Sequence, residues 1–68
     1  MTYEQKVNSS FIDSILYDSD ELELTITFVK GETLTYEDVP IEVFNSLLMS
    51  QSKGNYYYTY IRDSYSWY

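Results

Sequence analysis

The 68-residue chain sets 11 Asp and Glu against 4 Lys and Arg, for a formal charge of -7, and contains neither cysteine nor histidine. It has room for one small domain, without a disulfide framework, a thiolate metal site, a cysteine nucleophile or a histidine general base. Its acidic field repels phosphate, which disfavours extended nucleic acid and anionic lipid as partners.

The opening Met1 to Lys6 lacks the basic start and apolar run of a secretion signal. No apolar stretch approaches the ~20 residues of a membrane span, and the lack of disulfides points to the cytoplasm. Ser10 to Tyr17, with Phe11, Ile12, Ile15, Leu16 and Tyr17, reads as a strand. Ile12 and Ile15 differ in parity, so a bulge is expected between them. Asp18-Ser19-Asp20 is a turn cluster. From Glu21 to Val29 the residues Leu22, Leu24, Ile26 and Phe28 share one parity, which predicts a strand with one buried face. Lys30-Gly31 supplies a tight turn, and Glu32 to Glu37 resumes the alternation with Leu34 and Tyr36 inward.

Pro40 suits a first helical position, and Val43, Phe44, Leu47 and Leu48 recur at the spacing of an apolar stripe. Lys53-Gly54 reads as a cationic last turn and a glycine stop, which predicts a helix from Pro40 to Ser52. Asn55 to Tyr68 is ambiguous: its Tyr and Thr favour strand, whereas Tyr57, Ile61 and Tyr65 fall at helical spacing. A short helix is the expectation, with the aromatic tail Ser64 to Tyr68 packed on the sheet or on a second chain. The fold class is α+β, a single domain over residues 1–68 in which a three-stranded antiparallel meander packs against one main helix and a short C-terminal helix.

The chemistry-bearing residues fall in a few groups. Ser9 and Ser10 could donate to a ligand or simply bond backbone at a strand entry. Asp18, Asp20, Glu21 and Glu23 lack the spacing of a calcium-binding loop and suit a solvated turn and strand face. Tyr56 to Tyr60 with Arg62 combines the residue types that dominate binding hot spots. On a helix Tyr57 and Ile61 face inward, leaving Tyr56, Tyr60 and Arg62 outward. The same rings could stack on a base while Arg62 or Lys53 met a phosphate, so a single small nucleotide is an alternative ligand.

Asn8-Ser9-Ser10, Ile12, Ile15, Tyr17-Asp18, Leu22, Leu24, Phe28, Gly31, Tyr36, Val39-Pro40, Val43-Phe44, Leu47-Leu48, Ser52, Gly54, Tyr56, Ile61-Arg62 and Tyr65 together resemble the KTSC domain family. The resemblance runs from about Val7 to Tyr65 in one register. This short module is named for its place at the C-terminus of some lysyl-tRNA synthetases, and it also occurs as small stand-alone proteins of bacteria and phages. The resemblance implies functional potential at Ser9, Ser10, Tyr36, Gly54, Tyr56, Arg62 and Tyr65, and its synthetase context implies RNA binding. The acidity and the dense tyrosines set this chain apart from the family pattern. The expected activity is therefore non-catalytic and cofactor-free: a protein-interaction or inhibitory module meeting a partner with a basic surface, or pairing as a homodimer, through Ser9, Ser10, Tyr36, Tyr56, Tyr60, Arg62 and Tyr65.

Overall fold

A computed structural model describes residues 1–68 and shows one antiparallel sheet with helices against one face. The strands are β1 (Thr2–Lys6), β2 (Ile12–Asp18), β3 (Glu23–Phe28) and β4 (Thr33–Tyr36), in the order β1-β2-β3-β4. The sheet thus has four strands, where the sequence pattern predicts three. β1 is exposed at every residue, so no alternation marks it; pairing with β2 from Thr2↔Asp18 to Lys6↔Ser14 makes it a strand. The expected bulge is present, since the β2–β3 register shifts between Ile12 and Ser14. It lets Ile12 and Ile15 both point inward despite their opposite parity, and both are fully buried.

Leu24, Ile26 and Phe28 line the inner face of β3 as predicted. Leu22 does not join them. It lies in the turn at φ 55° with its side chain 41% exposed, and its carbonyl accepts from the Val39 N–H (2.8 Å). At the other end of β3, Gly31 takes φ 103° to close the turn into β4, a conformation available to a residue without Cβ.

The main helix, α1, runs Ile41–Met49 with Phe44 and Leu47 buried and Val43 and Leu48 partly so. The Phe44 ring stacks on Tyr17 (4.8 Å between centroids), and the Tyr17 hydroxyl donates to the Val39 carbonyl (2.6 Å). α1 ends three residues earlier than the pattern predicts because Ser50 turns to extended backbone, and both its N–H and its hydroxyl donate to the Leu47 carbonyl. Lys53-Gly54 is accordingly not a stop. The Ser52 hydroxyl accepts from the Asn55 N–H and caps a second helix, α2 (Lys53–Tyr56). α2 passes directly into a π-helical turn, Tyr57–Ile61, closed by the Arg62 N–H donating to the Tyr57 carbonyl (2.9 Å).

Tyr57 and Ile61 project from that turn into the core, and Val7, Ile12, Tyr36 and Val39 complete it. The tail returns to the sheet. Thr35 and Tyr68 exchange both backbone hydrogen bonds at 2.9 Å, and the Glu37 N–H donates to the Ser66 carbonyl (2.8 Å), so the tail covers the free edge of β4.

Candidate binding surface

Two exposed rings, Phe11 and Tyr58, lie over two buried ones, Phe28 and Tyr57, at the end of the molecule that carries the β3–β4 turn. Phe11, just before β2, lies across Phe28 (5.1 Å between centroids) and Tyr57 (6.0 Å), and Phe28 and Tyr57 meet edge to face (5.4 Å). Gly54 lies close beneath this ring: a Cβ there would stand 3.4 Å from the Phe11 side chain, in van der Waals contact. Tyr57 is fixed from below by Tyr36, whose hydroxyl shares a buried hydrogen bond with that of Tyr57. Burial, then that hydrogen bond, raise the Tyr36 pKa, so Tyr36 remains a neutral phenol at physiological pH. Phe28 and Tyr57, both buried, form the floor.

Over this floor runs an open groove of about 740 Å³, walled by Phe11, Val29, Leu34 and Tyr58. Lys30 and Arg62 stand at its sides. The Arg62 guanidinium lies 5.0 Å from the centroid of the Tyr58 ring, a cation–π arrangement that orients both side chains. Tyr58 is 62% exposed and Phe11 44% exposed, so both present ring surface to solvent. Beyond Phe11 and Tyr58 a shallower depression of about 370 Å³ is lined by Ser9, Ser10, Ser52, Gly54 and Asn55. A further groove of about 530 Å³ separates β1 from α1 beneath Tyr3, Phe44 and Leu48, and its only charged side chain is Glu4.

The sequence-derived candidates divide between this surface and the interior. Ser10 and Arg62 line the groove, and Ser9 and Ser10 line the depression beside it. The Ser9 hydroxyl is already engaged, accepting from the N–H groups of Phe11 (3.1 Å) and Ile12 (3.2 Å), which is the backbone-bonding alternative for that residue. Tyr36 is 1% exposed and acts from beneath. Tyr56 and Tyr60 pair with each other (4.7 Å between centroids) and line neither the groove nor the depression. Tyr56 is half-buried against the core and Tyr60 is exposed. Tyr65 is half-buried and packs on the core.

Phe11 and Lys30 are groove residues that the sequence pattern leaves out, and Tyr58 lies within the aromatic segment it singles out without being one of the contacts named there. Glu32 is the one carboxylate that lines the groove, and the acidic turn residues sit elsewhere. Asp18 accepts from the N–H groups of Asp20 and Glu21, which makes it a turn-building residue, and Glu37 and Asp38 lie beside the same end of the sheet.

Sheet, helical cover and exposed groove together define a small single-sheet α+β module. The KTSC domain model matches residues 8–65, and the chain belongs to that family. A crystal structure of a KTSC domain protein from Yersinia pestis is similar over the whole chain and 96% of its own, with a TM-score of 0.94 and 31% sequence identity. A protein from Tsukamurella paurometabola is 42% identical over 52 residues, which is 76% of this chain and 78% of that relative.

Proposed function

We propose that this KTSC domain protein is a non-catalytic binding module that holds a protein partner against the groove between Phe11 and Tyr58. The observation that carries this reading is the exposure of two rings on a floor that is otherwise locked. Tyrosine, phenylalanine and arginine on a rigid support bury large area at small cost in side-chain entropy, which is how contact hot spots gain affinity. The groove is open, which suits a segment of another protein better than a small molecule that must be enclosed.

The charge distribution refines the expected partner. Lys30 and Arg62 flank the groove, whereas Asp18, Asp20, Glu21, Glu37 and Asp38 cluster at the opposite end of β3. A basic partner surface would fit that acidic end and not the rings.

Copurification at mild salt tests the reading. Arg62→Ala or Tyr58→Ala should reduce recovery of the specific partner by about tenfold or more with the circular dichroism spectrum unchanged, and Tyr60→Ala should leave recovery intact. Loss with Tyr60→Ala alone would move the contact to the Tyr56–Tyr60 pair. Unchanged recovery in all three would remove the groove as the binding surface.

A further inference from the structure

We propose that the groove recognises an acidic-apolar peptide segment, in which an aliphatic or aromatic side chain lies on the ring floor and a neighbouring carboxylate meets Lys30 and Arg62. The inference rests on the groove being the binding surface and adds the chemistry of what it takes.

The chain carries four cationic side chains, and two of them are engaged within it. Lys6 is paired with Asp13 (3.3 Å), and the Lys53 ammonium donates to the Ser50 carbonyl (3.0 Å). Lys30 and Arg62 make no ion pair and no side-chain hydrogen bond within the chain, and both line the same groove. Carboxylates outnumber cations by 11 to 4, so an internal partner is abundant in the sequence, yet these two are left for a ligand. Glu32 is the one carboxylate lining the groove, and it is ion-paired with neither.

Arg62 is also preset. With the plane of its charge held near the Tyr58 ring, its edge N–H donors are available for a two-pronged contact with a carboxylate. Lys30, on the turn across the groove, supplies a second point charge.

A peptide is favoured over a nucleotide by the same geometry. Tyr58 already has the guanidinium against its ring, and the buried side of Phe11 is occupied by Phe28 and Tyr57, so no pair of free ring faces is set to sandwich a base. Two separate single charges match one or two carboxylates, where a polyphosphate calls for a denser cradle.

The test is a ¹H–¹⁵N NMR titration of the intact protein with four probes: acetyl-Gly-Asp-Leu-Phe-Glu-Gly-amide, its Asn/Gln analogue, its Lys/Lys analogue, and adenosine monophosphate. The acidic peptide should give saturable shifts at Phe11, Val29, Lys30, Tyr58 and Arg62, with the Asn/Gln analogue at least about fivefold weaker. Lys30→Glu and Arg62→Glu should each abolish that preference and favour the lysine peptide. Equal binding of the neutral analogue at these residues would overturn charge recognition while leaving the groove as the binding surface. Shifts at the groove with the nucleotide and not with the acidic peptide would overturn the peptide assignment. Groove shifts on dilution of the protein alone would make it a contact between copies and overturn the proposal. Absence of groove shifts with every peptide would overturn it together with the reading it rests on.

Discussion

Tyr36 and Tyr57 show how single residues hold the proposed surface in place. Each contributes a ring to the core, and each hydroxyl is the partner of the other in an apolar interior. Tyr36→Phe should cost about 1–3 kcal/mol, because the Tyr57 hydroxyl is then buried without a partner. Tyr36→Phe with Tyr57→Phe should cost clearly less than the two single changes added together, which urea denaturation of the four proteins measures. Additive losses would show that the two hydroxyls are independent.

Tyr36 and Tyr17 predict alkaline behaviour. Burial raises the pKa of Tyr36 and of Tyr17, the latter also raised by Glu42 and Asp18, so the native state keeps protons that the unfolded chain releases near pH 10. Their contribution is complete below about pH 10 and is lost as pH rises beyond it. Tyr36→Phe should flatten that slope, and stability that stays level past pH 11 would contradict the assignment.

At the scale of elements, the C-terminal tail and the π-helical turn do different work. The tail closes the β4 edge with backbone hydrogen bonds, and the Tyr68 hydroxyl reaches Glu23 (2.8 Å). That edge would otherwise present free N–H and C=O groups to other chains. Deleting Ser66 to Tyr68 should remove amide exchange protection at Thr35 and Glu37 and leave Ile26 protected, as followed by NMR. Retained protection at both amides would show that the tail does not hold this edge.

The π-helical turn is where the sequence reading and the structure part most instructively. An α-helical projection sends Tyr57 and Ile61 inward, as found, and places Tyr56 and Tyr60 on the binding face. The structure keeps Arg62 outward, as expected, but its neighbour at the groove is Tyr58, four residues earlier, while Tyr56 and Tyr60 pair with each other away from it. Phe11 and Lys30 could not be assigned to the site from sequence, since one reads as a strand residue and the other as a turn residue. Only the approach of three remote segments makes them neighbours. Core positions were legible wherever periodicity reports burial: Leu24, Ile26 and Phe28 by alternation, Phe44 and Leu47 by helical spacing, and the bulge from the conflict between Ile12 and Ile15. β1 was not, because a strand with no buried residue has no alternation to read. The end of α1 was hidden in a different way: Ser52 resembles a helix terminus from either side, and only its hydrogen bond to Asn55 shows that it starts one.

Across the whole molecule the charge is unevenly spread, with Glu32 and Asp63 next to the two groove cations. The carboxylates of the β2–β3 turn and of the β4–α1 connection mark one end, and Lys30 and Arg62 mark the other beside the exposed rings. Against a net charge of -7, any attraction of Lys30 and Arg62 for the proposed acidic segment acts at short range, and added salt should weaken it. The β1–α1 groove, with Glu4 its only charge, offers no comparable attraction.

Amide hydrogen exchange of the protein alone and with its copurified partner bound tests the binding claim most directly. The account predicts slowed exchange in the segments around Phe11, Val29 to Glu32 and Tyr58 to Arg62, with the acidic β2–β3 turn unaffected. Slowing confined to Asp18 to Leu22 or to β1 and α1, with the groove segments exchanging as in the free protein, would contradict it.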